Sequence, residues 1–141
     1  MYYTKIIIFL YLLHTIYTSN NDLYKTLIEQ LQSQISKNCN QINSIKSKKQ
    51  ISIDLVRWGF SKIGIVLPEK LNELVLKGKF VELNEIKEGD LLFFNVNEDN
   101  INQVGIYVGY GMIIIGNNDY CAKYSFIEEF LNYFILAKRL L

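Results

Sequence analysis

The sequence predicts an α+β domain, on three observations. Helical periodicity is confined to the first half, short apolar runs between turn residues fill the second, and there is enough apolar material for a buried core. Half of the 141 residues are hydrophobic and 13% are aromatic, so disorder is not expected. The length suits one domain rather than two. Helices followed by a run of antiparallel strands form the α+β arrangement. Lys and Arg total 15 against 14 for Asp and Glu, a formal net charge of +1, which gives no electrostatic case for nucleic acid binding. The heavy use of Ile, Asn, Lys and Tyr with a single proline reads as AT-rich coding bias, so composition is weighted lightly.

The first residues stand apart. Met1 to Lys5 carries one positive charge, Ile6 to Leu13 is continuously apolar, and Thr15 to Asn21 turns polar. This is the pattern of a secretory signal over residues 1–19, with a run too short to span a bilayer, which takes about 20 residues. Thr18 and Ser19 suit cleavage, whereas Ile16 and Tyr17 are bulky. An uncleaved anchor or a buried N-terminal strand are the alternatives. Cleavage would remove Lys5 and His14, the single histidine, leaving a mature form without imidazole, secreted and with no stable membrane insertion.

Residues 20–50 then form an N-terminal helix and a polar loop. Asn21 or Asp22 can cap a helix to about Asn38, in which Leu23, Leu27, Leu31 and Ile35 recur every four residues and Ile28 widens the stripe. Asp22 near its start and Lys37 near its end complement the helix dipole. Asn38 to Gln50 is polar, with Lys46, Lys48 and Lys49 close together, and reads as a solvated loop. A second helix is expected over Ser52 to Ile63, with Ser52 as N-cap and Leu55, Val56, Phe60 and Ile63 as its apolar face. Gly64 ends it, and Pro68 enforces the stop.

From there the signal is β. Lys87 to Asp90 is a turn, Leu91 to Val96 a strand suited to burial on both faces, and Asn97 to Asn102 a polar turn. Val104 to Val108 and Met112 to Ile115 are strands joined at Tyr110-Gly111. After the loop Asn117 to Tyr120 come a short strand at Cys121 to Tyr124, a helical turn at Ile127 to Asn132 and a closing strand at Phe134 to Leu140. Cys39 and Cys121 fit no metal spacing. In an exported chain they fit either one disulfide or two buried thiols. With no metal spacing and no Gly-rich phosphate loop, no cofactor is expected.

Three segments carry a family resemblance. The first is Leu55-Val56-Arg57-Trp58-Gly59-Phe60-Ser61-Lys62-Ile63-Gly64-Ile65-Val66-Leu67-Pro68. The second is Ile86-Lys87-Glu88-Gly89-Asp90-Leu91-Leu92-Phe93-Phe94. The third is Val104-Gly105-Ile106-Tyr107-Val108-Gly109 with Gly111, and Phe134 to Leu140 adds a closing strand. In this order the region from about 51 to 141 resembles the NlpC family of papain-like cysteine peptidases, which cut peptidoglycan stem peptides. The resemblance implies a papain-like NlpC-type domain, N-terminal helices packed on a small antiparallel β-sheet.

It also locates the catalytic positions. The family's cysteine, at the start of the helix, falls on Ser52; its histidine falls on Gln103; the third polar group, from the next strand, falls on Ile115. A thiol is partly ionised at neutral pH, whereas a serine hydroxyl needs a base to take its proton. The Gln103 amide offers none, and Ile115 orients nothing. Cys39 lies upstream of the helix and has no histidine partner. Asn117 shares the strand face of Ile115 but restores no base. Asp54 is a candidate carboxylate base, or more ordinarily a helix N-terminal acid. The expectation is therefore an inactive pseudoenzyme whose groove offers Ser52, Asp54 and Gln103 to a peptide or peptidoglycan stem peptide. The other readings are an active cell-wall peptidase or amidase with a rearranged site, and an exported structural or interaction protein retaining only the scaffold.

Overall fold

The computed structural model describes residues 2–35, 48–96, 99–116 and 122–141. Cys39, Asn117 and Cys121, the end of the first expected helix and most of the 38–50 loop lie outside the described residues. Helix α1 runs without a break from Tyr2 to Gln32. The expected start at Asn21 or Asp22 is therefore corrected: both lie inside the helix, because the preceding segment is itself helical and supplies the carbonyls that a cap would replace. Ile6 to Leu13 are exposed along α1, and among the described residues no helix is long and apolar enough to cross a membrane. The C-terminal half of α1 is different. Leu27 and Leu31 are buried, each contributing about 1.5–3 kcal/mol by leaving water. The chain turns at Ser33 and Gln34, and Ile35 forms a parallel bridge with Ala122.

Helix α2 spans Lys48–Ser61, four residues earlier at its start than the expected Ser52. It ends at Ser61, two residues before the expected Ile63, while the stop at Gly64 forms as expected: the Ile65 N–H bonds the Phe60 carbonyl, the Gly64 N–H bonds that of Ser61, and Gly64 takes φ +82°, a Schellman closure. Ile63 falls in this turn, beyond the helix. Gly59 lets α1 approach, since a Cβ there would stand 2.8 Å from Leu31 Cδ2. A single-turn helix α3, Leu71–Leu74, follows.

Among the described residues six strands form one antiparallel sheet: β1 Lys79–Val81, β2 Leu91–Phe94, β3 Gln103–Gly109, β4 Met112–Ile115, β5 Lys123–Phe126 and β6 Phe134–Arg139. Their order is β1-β6-β2-β3-β4-β5. Strand β1, a polar-flanked triplet, gave no signal in the sequence, and β5 begins two residues later than expected. Both faces of the sheet are covered, which is why the β2 and β4 runs are apolar without alternation. One face packs Leu91, Phe93, Val104, Ile106 and Ile114 against Leu27, Leu31, Val56 and Phe60 of the helices. The other packs Leu92, Phe94, Ile113 and Ile115 against Ile127 and Phe130 of the 3-10 segment Ile127–Tyr133. Phe94 and Phe130 meet there at 5.1 Å between ring centroids, a favourable tilted pair.

An ion pair ties the turn before β2 to the end of β6. Asp90, fully buried, accepts from Arg139 Nε on one oxygen and Arg139 Nη2 on the other, both at 2.8 Å. It also accepts the Lys87 N–H at 2.7 Å, closing the turn before β2. The hydrogen bond to Asp90 holds the Arg139 guanidinium pKa above its ordinary value. Beside this pair Tyr24 of α1 lies against Gly89, and its hydroxyl donates to the Leu141 carbonyl at 3.3 Å. Burial raises the Tyr24 pKa above 10.0.

Candidate functional site

The candidate site forms where α2 meets the start of β3. Gly89 N–H bonds Tyr107 O and Tyr107 N–H bonds Asp90 O, so odd-numbered residues of β3 turn their backbone groups to β2 and even-numbered ones to β4. Strand β4 pairs with β3 only as far as Ile106↔Ile114 and ends at Ile115, which leaves the Val104 N–H beyond the reach of the ladder. Ser52 Oγ accepts that N–H at 3.2 Å and donates to the Lys49 carbonyl at 2.9 Å. Ser52 is 0% exposed. It is thus not the N-cap expected from sequence but a mid-helix residue whose hydroxyl replaces a missing strand partner. Removing the hydroxyl strands a buried N–H, so Ser52→Ala is expected to cost about 1–3 kcal/mol, read as a lowered denaturation midpoint.

Asn102, the residue before β3, fixes the same junction from the other side. Its amide accepts the Val96 N–H at 2.9 Å and donates to the Val96 carbonyl at 2.7 Å, bridging the β2–β3 connection. Sequence reasoning passed over Asn102 as one polar residue of a turn; only its burial distinguishes it. Gln103 is half-buried, as is Asp54, which accepts from Gln50 Nε2 at 2.8 Å one helical turn away. Ile115 is 2% exposed within the second core.

The structure therefore brings Ser52 to the start of β3 beside Gln103, and places Ile115 one strand further in, but it turns the three to different tasks. Ser52 does not line an open floor, a correction forced by its burial against β3. Gln103 and Asp54 reach the surface. His14 is remote. Tyr24 packs at Gly89, near the end of β3, whereas Ser52 meets the beginning of β3, and α1 continues from Tyr24 roughly 15 Å further to His14 at 1.5 Å per residue.

Beside Ser52, around the first turn of α2, lies a cleft of about 680 Å³ lined by Lys49, Gln50, Lys70, Asp99, Asn100 and Ile101 among others. Its charges of both signs suit a zwitterionic ligand, and its size falls in the range of small-molecule sites.

Residues 46–129 match the model of the NlpC/P60 family. The chain belongs to the NlpC/P60 family. This NlpC/P60 chain is 40% identical over 77 residues to the bifunctional muramidase/DL-endopeptidase CwlT of Bacillus subtilis, a match covering 53% of this chain and 23% of that protein. It is 38% identical over 65 residues to the peptidoglycan DL-endopeptidase CwlO of Bacillus licheniformis, covering 45% and 14% respectively. The chain thus spans less than a quarter of the length of these relatives. Among solved structures, RipD of Mycobacterium tuberculosis, described as a non-catalytic NlpC/p60 domain protein adapted to peptidoglycan binding, aligns at TM-score 0.66 and 18% identity over 84% of this chain and 98% of its own. The P60 domain of an antigen from M. avium paratuberculosis aligns at 0.70 and 14%, over 90% and 99%. These likenesses establish the papain-like α+β fold. The NlpC/P60 family is one of cysteine endopeptidases.

Proposed function

We propose that the chain is an exported, non-catalytic NlpC/P60 module that binds a peptidoglycan-type ligand. The observation that carries this reading is Ser52. Its two hydrogen-bonding partners are backbone groups, and a hydroxyl without a base to deprotonate it is a poor nucleophile. Neither the Gln103 amide nor the Ile115 side chain supplies a base, and His14 lies about ten residues further along α1 than Tyr24, roughly 15 Å on. RipD, a neighbour in fold, is described as having made the same change of use. Export rests on the N-terminal pattern of a basic start and short apolar run.

Ligand contact in this reading falls to Gln103, Asp54 and the adjoining cleft, with Ser52 holding β3 in place behind them. Lys49, Lys70 and Asp99 in that cleft match the ammonium and carboxylate groups of a stem peptide. The test is incubation of the full chain with a γ-D-glutamyl-diaminopimelate stem peptide, followed by mass spectrometry and calorimetry. Saturable binding with no cleavage is the expected result. Turnover that disappears in Ser52→Ala would overturn the reading.

A further inference from the structure

A second cleft, of about 660 Å³, lies at the opposite end of β3 on the far face of the sheet. Along β3 its nearest lining residue, Tyr107, stands roughly 13 Å from Gln103 at 3.3 Å per residue, and none of Ser52, Asp54 and Gln103 lines it. Its walls are the β3–β4 hairpin tip with Tyr107 and Tyr110, Phe126 at the end of β5, Ile127 of the 3-10 segment, aliphatic Leu83, Ile86 and Leu131, and polar Asn84 and Glu128. The walls are tied together: Gly111 N–H donates to Tyr107 Oη at 3.2 Å, and Ile127 N–H to Gly111 O at 2.9 Å.

Two rings on this rim are left to solvent, Tyr110 at 97% and Phe126 at 56% exposed. Tyr110 is also strained. It sits at φ +55° between Gly109 at +91° and Gly111 at +70°, in the left-handed region where glycine or asparagine is the ordinary occupant of a tight hairpin. It is the one non-glycine residue with positive φ among the described residues. A fully exposed aromatic held in a conformation it disfavours gains nothing for the fold, and such strain gathers at functional sites.

We propose that this cleft is a saccharide subsite, with Tyr110 and Phe126 as its apolar platform. A pyranose presents a face of C–H groups ringed by hydroxyls, and the cleft pairs exposed rings with an amide and a carboxylate. An all-apolar partner would leave Asn84 and Glu128 unpaired, and a highly charged one would find a single carboxylate to meet. This rests on the peptidoglycan reading and divides the ligand between two places: glycan here, peptide beside α2.

The test is calorimetric titration of the full chain with a peptide-free N-acetylglucosamine tetramer and, separately, with a sugar-free stem peptide. The tetramer is expected to bind saturably, and Tyr110→Gly and Phe126→Ser each to weaken it at least tenfold while leaving peptide binding intact. Tyr110→Gly relieves the left-handed strain, so its thermal midpoint should rise as its sugar affinity falls, which separates recognition from folding. Tyr110→Asn, tolerant of the same backbone, should give the same loss. Peptide binding without tetramer binding overturns the subsite and leaves the proposed function standing. Binding of neither overturns both, and tetramer binding undiminished in the variants moves the sugar elsewhere and overturns the subsite.

Discussion

Replacing Arg139 by methionine is expected to destabilise the domain by about 3–5 kcal/mol, the cost of leaving one member of a buried pair uncompensated. Asp90 is 0% exposed and keeps only the Lys87 N–H once the guanidinium is gone. A domain of this size is stable by about 5–15 kcal/mol, so the variant loses a large share of its margin, seen as a lower midpoint in urea. The converse change, Asp90→Asn, should cost less, because Arg139 retains 28% side-chain exposure and its freed charge can reach water. Changing both, Asp90→Leu with Arg139→Met, should recover most of the loss, since a well-packed apolar pair often replaces a buried ion pair without penalty. About 1 kcal/mol would remain for the lost Lys87 cap. A double variant as unstable as the worse single one would show that the pair is not the source of the effect.

The second large effect is expected at Gly89→Ala, at about 2–5 kcal/mol. Two terms add. Gly89 sits at φ +93°, where a Cβ costs about 1–2 kcal/mol, and that Cβ would fall 1.9 Å from Cδ1 of Tyr24, an overlap costing about 1–3 kcal/mol. The second term involves a ring on α1, so the two can be separated. In a Tyr24→Ala background the clash is gone and Gly89→Ala should cost only the backbone term. A double-mutant cycle by chemical denaturation reads the difference directly. Additive costs would mean that α1 does not press on this turn.

Much of this was legible beforehand because it depends on local pattern. The Leu27 and Leu31 stripe, the Gly64 stop, the apolar strand runs and the Tyr110-Gly111 turn follow from side-chain period and backbone preference, which neighbours in sequence decide. The start of α2 was placed four residues late because Ser52 has the chemistry of a cap. Its hydroxyl was instead recruited by Val104, a residue far along the chain. The length of α1 was missed for a related reason: a polar patch at Asn20 to Asp22 resembles a helix start, but a helix already under way needs no cap.

The proposal that catalysis is lost rests on the sequence alone: the resemblance lays Ser52, Gln103 and Ile115 on the catalytic positions of the NlpC family, and no folding of the chain turns a hydroxyl, an amide and an alkyl side chain into a thiol and an imidazole. What those residues do instead was decided by tertiary structure. A strand N–H left unpaired where β4 ends, the burial of Asp90 against Arg139, and the strained exposure of Tyr110 each arise between segments distant in sequence. Hydrogen bonding and burial there depend on which segments meet, and sequence periodicity carries no record of that.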